Sequence, residues 1–256
     1  MLSVHAAITN ELARIGHHRK LRDVASGRVI SRTVWAVLAV LIVIVLVFAG
    51  RRVATDWPNV AAGTVPPASS FDHSYALHPV LAYAHILLGV VYLAGAPLQL
   101  SRRFRERHFT AHRRMGRVLL PAGIATGIFA IIFGGLFSFG GPLEVSATVL
   151  FGCYFVVALS TAFLAIRGGD VTRHRRWMIR AFAIGVGVGT IRIWMGLFLA
   201  SGLLSFRDSF GVAFWLAFVL HALAAEAYLW IRPSARGAAD PRSRRDVGAE
   251  PATAPS

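Results

Sequence analysis

A chain of 256 residues that is 55% hydrophobic and only 15% charged, with a mean hydropathy of +0.59, cannot be a water-soluble domain, where about a quarter of residues carry charge. Its formal charge of +15 and isoelectric point near 11.6 would suit nucleic acid, but the arginines lie between long apolar runs and not along one face, which excludes that partner and makes the charge a topology signal. The single cysteine, Cys153, sits in an apolar run and excludes a disulfide framework or a cysteine-based metal site.

In chain order, residues 1–33 read as a basic cytoplasmic N-terminal tail. Six apolar stretches then approach the roughly 20 residues a helix needs to cross hydrocarbon: 34–49, 80–100, 118–139, 143–166, 178–199 and 212–231. They predict an all-α, polytopic membrane bundle of six transmembrane helices over 34–231. The first stretch follows a long basic segment and ends in Phe48, Ala49 and Gly50, a poor cleavage signature, so it is expected to be a retained anchor. Residues 50–77, with Pro58, Pro66, Pro67, Ser69 and Ser70, are predicted to be an outer loop without regular structure. Residues 232–256, rich in Ala, Pro, Arg and Asp, are predicted to be a disordered cytoplasmic tail. Arginines cluster at 14–32, 102–117, 167–180 and 232–245, leaving Arg51, Arg52 and Arg207 opposite. The positive-inside rule then puts both termini in the cytoplasm of a bacterial cell, with Arg51 and Arg52 as the local exception.

Within the spans, Gly123 with Gly127 and Gly185 with Gly189 have the spacing that lets helix backbones approach closely. Residues seven apart share a helix face, so His78, His85, Tyr92 and Gln99 form one polar stripe on the second span, predicted to face an interior cavity or path. Arg192 lies deep in the fifth span, where an arginine costs about 2.5–3.5 kcal/mol at the bilayer centre. It is expected to find an interior partner, the alternative being to snorkel outward. His85 enters from the outer side to a similar depth, and His221 sits near mid-depth on the sixth span. Two imidazoles on separate helices are what a bis-histidine haem b needs, so His85 and His221 are candidate haem ligands, with Arg192 offsetting a propionate or a quinone oxygen. Each histidine instead simply bonding a neighbouring helix is the plainer reading.

Two loops carry related triplets: His112, Arg113, Arg114 before Gly116 and Arg117, and His174, Arg175, Arg176 before Trp177, Met178 and Arg180. Beside helix N-termini they favour an anion, a lipid phosphate or acidic headgroup being the natural guest, or they hold a second haem, or they serve topology alone. Their repetition fits two parallel hairpin copies, chance likeness being the alternative. Glu226 is expected to pair with a loop arginine such as Arg180 or Arg167, and Asp170 to sit at the start of the fifth span. Trp177, Trp215 and Trp230 near span ends read as interfacial anchors.

These motifs, with Gln99 closing the second span and Arg192 inside the fifth, resemble the bacterial membrane-protein family catalogued as domain of unknown function 2306, over roughly residues 77–199. The resemblance implies a multi-span membrane protein and supplies no activity. The His-Arg-Arg-x-Met stretch is also similar to small membrane proteins that help mature terminal oxidases. Phosphate-binding Gly-rich loops, zinc-protease motifs and serine elbows are absent from the sequence, which argues against an ATPase, a zinc protease and a hydrolase. Three readings follow: a small haem or quinone-facing electron-transfer protein, a small-molecule permease or lipid-handling protein using the stripe as its path, and an assembly factor for a respiratory partner.

Overall fold

The computed structural model describes residues 2–231, with side chains from residue 32 onward. The described residues form eight helices: α1 (Leu2–Ala62), α2 (His73–Leu77), α3 (Pro79–Leu100), α4 (Arg102–Arg107), α5 (Phe109–Leu136), α6 (Pro142–Arg167), α7 (Val171–Ser201) and α8 (Phe206–Ile231). Six are long and apolar enough to cross a membrane, α1 through its stretch Arg32–Ala62 and α3, α5, α6, α7 and α8 over their whole lengths. The predicted all-α bundle of six spans is therefore what the chain forms. Connections α3–α4–α5 and α6–α7 lie at one end, which we call the basic end, and α5–α6 and α7–α8 at the other, the far end. The predicted tail 232–256 lies outside the described residues.

The first span corrects the sequence reading. Residues 50–77 are irregular only over 63–72, because α1 continues unbroken through Pro58 to Ala62 and α2 forms a further turn and a half. A proline removes one intrahelical hydrogen bond and usually argues against helix. Here the turn before it is braced by an ion pair between Arg52 and Asp56, four residues apart (2.6 Å). The helix ends at Gly63, whose φ of 63° supplies the left-handed residue that terminates helices cheaply. The predicted N-terminal tail likewise has a helical backbone continuous with α1 from Leu2.

The core forms where α3, α5, α6, α7 and α8 meet. α3 packs on α5, α6 lies between α5 and α7, and α7 and α8 form the closest pair, while α1 leans on α7 and α3 from outside. Small residues make these approaches possible: Ala147, Ala158, Ala162, Ala181, Ala213 and Ala217 are fully buried, as expected where lipid gives helices no hydrophobic reason to associate and close packing must do so. The two glycine pairs find specific partners. A Cβ on Gly123 would come within 2.8 Å of Tyr92 on α3 and Leu159 on α6, and one on Gly127 within 2.7 Å of Val156. Gly185 faces Tyr92, and Gly189 faces the Leu41 backbone of α1.

Candidate functional site

The stripe on α3 faces α5 along its whole length. His78 stacks on Phe137 with ring centres 3.8 Å apart. His85 Nδ1 lies 3.0 Å from the Thr126 carbonyl oxygen, and the Thr126 hydroxyl donates to the His85 carbonyl at 2.6 Å. Tyr92 fits over Gly123, and Gln99 Oε1 lies 3.6 Å from where a Cβ on Gly116 would stand. The stripe is buried at Tyr92 and Gln99 and half-buried at His78 and His85. It does not line an open path: Tyr92 is only 2% exposed, its ring meets Phe155 edge-on at 5.4 Å, and Gly185 closes over it. Thr126→Val should destabilise the fold by about 0.5–1.5 kcal/mol, since it removes the hydroxyl that donates to the His85 carbonyl from α5 and so loosens the α3–α5 contact; a thermal melt of the detergent-solubilised variant checks this.

His85 and His221 do not converge. His85 is bound to α5, whereas His221 Nε2 lies 2.7 Å from the Thr190 hydroxyl of α7 with its ring against Gly187. α3 and α8 share no packing contact. As folded, this pair does not offer the two opposed nitrogens one iron requires. Arg192 lies at the far-end half of α7. Its guanidinium sits 5.4 Å from the Phe48 ring centre and has Met195 Sδ at 4.0 Å. No carboxylate of the described residues lies within ion-pair distance of it, although Glu144, Tyr75, Arg52 and His85 fall within its electrostatic reach.

The basic end brings together more. His174 Nδ1 lies 2.9 Å from the Ala162 carbonyl oxygen on α6, so Nδ1 is the donor in that contact. His112, on α5, lies within electrostatic reach of His174 and of Arg105, although α5 and α7 do not pack on each other. Its Nδ1 is buried without a hydrogen-bond partner, as is the amide nitrogen of Gln99. Gln99 is 9% exposed, and Gly116, which it faces, is one turn from His112. Gln99 on α3 and His112 on α5 thus place two unsatisfied nitrogens about one turn of α5 apart, with His174 within electrostatic reach of His112. Buried polar groups are paired in the great majority of cases, so exceptions mark missing water or ligand. The motif copies are thus unlike in structure: His174 is anchored and His112 is not.

The surrounding arginines divide by what they already hold. Arg180 makes a two-point bond to Glu226, at 2.5 and 2.8 Å, and lies over Trp177 at 4.7 Å. That is the pairing expected for Glu226, and it takes Arg180 out of the set free to bind an anion. Arg113 lies over Phe109 at 5.9 Å. Arg114, Arg117, Arg175 and Arg176 make no ion pair with the described carboxylates. Asp170 caps α7 by accepting from the Arg173 amide at 2.8 Å, as expected. Trp215 donates to the Leu143 carbonyl oxygen and faces the Ser146 hydroxyl, each at 3.2 Å, while Trp230 is exposed at the end of α8.

Sequence reasoning missed a charged network at the far end. Arg52 pairs with Asp56 at 2.6 Å and Asp72 at 2.5 Å, and its guanidinium lies 3.7 Å over the Tyr75 ring and 4.6 Å over Phe71. Burial pushes the Tyr75 phenol above its ordinary value, with the Arg52 charge pulling the other way. Phe71 in turn meets Phe139, Phe206 and Phe210. The four-residue spacing of Arg52 and Asp56 was the available signal, and reading residues 50–77 as irregular hid it.

A helical bundle with six candidate spans, buried polar groups on its interior faces and arginines gathered at one end defines the class, an integral multi-pass membrane protein. The chain belongs to the family described as predicted membrane protein (DUF2306), whose model matches residues 82–230. No curated protein and no solved structure matches it.

Proposed function

We propose that the protein binds the headgroup of a membrane quinone in the chamber formed by Gln99, His112 and His174, with the basic end facing the cytoplasm in accord with the positive-inside rule. One observation carries this reading. Two buried nitrogens, Gln99 Nε2 and His112 Nδ1, lack partners where α3 and α5 meet the membrane surface. The amide nitrogen is a donor only, so it calls for an acceptor oxygen, and an imidazole in its Nδ1–H tautomer would present a second donor. A quinone offers two carbonyl oxygens on an apolar ring and arrives through the lipid. The nearby guanidinium groups favour the partial negative charge on those oxygens.

The chamber supports ligand binding over transport, because Tyr92 closes the way towards the far end. Haem is favoured by one feature only, the His174 ring held by a carbonyl with Nε2 free beside His112, a common setting for an iron ligand. The dissociation constant of the purified protein for a short-chain ubiquinone or menaquinone analogue tests the proposal. Gln99→Leu and His112→Leu should each weaken binding about tenfold or more, equivalent to the loss of roughly 1.4 kcal/mol. His221→Leu should leave it unchanged. Quinone affinity unaffected by either chamber substitution would refute the assignment, and a visible spectrum with a haem band lost in His112→Leu would transfer the site to haem.

A further inference from the structure

The four arginines of α4 differ in what holds them, and two of them line a shallow, open cleft. Arg102 is held by Glu106 at 2.6 Å, and Arg105 lies within electrostatic reach of His112. Arg103 and Arg107, four residues apart and so on one helix face, instead line a cleft of about 240 Å³ with Ser101, Phe104 and His108. Neither has a carboxylate within ion-pair distance among the described residues. Like charges at this spacing oppose helix formation, and nothing within the described residues offsets them.

We infer that this cleft is a binding site for a phosphate group. Two guanidinium forks provide the planar, two-point donors that suit phosphate oxygens. Ser101 uses its hydroxyl oxygen to accept from the Phe104 amide at 3.3 Å, which leaves its proton to donate. The His108 ring makes no hydrogen bond to the α5 backbone that it precedes and adds a third nitrogen at the wall. Phe104 contributes an apolar floor, against which the carbon chain of a phosphate ester would pack. The cleft differs from the quinone chamber, whose residues it does not share, so either assignment can fail alone. It also differs from the expected anion set, since none of the arginines or histidines of the two triplets lines it.

Isothermal titration on the purified protein in phosphatidylcholine nanodiscs tests the site, with three probes: dihexanoyl phosphatidic acid, inorganic phosphate and dihexanoyl phosphatidylcholine. Phosphatidic acid is expected to bind, and the double variant R103Q/R107Q to lose at least tenfold in affinity. R167Q/R173Q, which removes the same charge from the exposed α6–α7 connection at the same end, should lose less than threefold. Inorganic phosphate binding as tightly as phosphatidic acid identifies a free phosphate as the guest, and phosphatidic acid alone identifies a lipid; both support the site. Equal weakening by the two double variants would reduce the effect to general surface charge and overturn the inference, as would absence of binding by both anionic probes. If R103Q/R107Q does not fold, R103K/R107K keeps the charge but not the fork geometry. An affinity equal to that of the unaltered protein would then count against the site, and a loss of threefold or more would support it.

Discussion

Arg52→Met is expected to destabilise the protein by about 3–5 kcal/mol, the usual effect of leaving one member of a buried ion pair alone. Asp56 is only 2% exposed, and its partner is this one guanidinium, at 2.6 Å. The second arm, to Asp72, contributes less, because that carboxylate is 39% exposed and solvent screens it. The guanidinium also lies over two aromatic rings, Tyr75 and Phe71, and so joins α1 to the segment leading into α3. Removing both charges together should behave differently. Arg52→Met with Asp56→Leu takes away the stranded carboxylate and replaces the pair with apolar volume, which is often neutral or stabilising. A double-mutant cycle by thermal unfolding in detergent reads the coupling directly. Equal stability of Arg52→Met and the unaltered protein would mean that the network holds nothing.

Gly189→Leu is expected to loosen α1 from the bundle. A Cβ at this position would stand 2.6 Å from the Leu41 carbonyl oxygen and 3.2 Å from the Leu41 Cα. Those are backbone atoms, so no side-chain rotation relieves the clash and the helix itself must move. Overpacking of this kind costs about 1–3 kcal/mol. α1 has little to lose it against, since most of its surface faces outward and Leu41 and Ile42 are the buried apolar side chains it contributes to the core. With a protease site inserted at residue 64, the cleaved α1 fragment should co-purify with the unaltered remainder and be retained about tenfold less well by Gly189→Leu. Gly196→Leu is the control, because a Cβ there meets nothing within 4 Å. Equal retention in the two variants would show that the Gly189 contact does not hold α1.

Much of the architecture was legible beforehand because membrane insertion is governed by local quantities. A run of apolar residues long enough to cross hydrocarbon has one inexpensive conformation there, the helix, since every backbone polar group must bond within its own segment. Six runs therefore became six spans, and Asp170 capped α7 as its position suggested. The polar stripe was legible for a related reason: residues seven apart share a face whatever that face meets. Where proline and serine replaced apolar residues, the local signal failed. Pro58 argued for a loop, but the helix persists through it, braced by Arg52 and Asp56.

The sites were another matter. Depth along each span put His85 and Arg192 at a similar height, and Arg192 lies within electrostatic reach of His85, yet depth is one coordinate and says nothing of which way a helix is turned. His85 turned to Thr126 on α5 and His221 to Thr190 on α7. Gln99 and His112 were noted separately, one as the end of a stripe and the other as part of a loop motif, and only packing put them about one turn of α5 apart. The amino-acid sequence by itself determined the number, length and helical nature of the spans, because hydrocarbon imposes those demands on each segment alone. Tertiary structure alone decided which polar groups find partners and which are left without them, because that depends on the rotation of each helix about its axis and on the small residues that let neighbours close in.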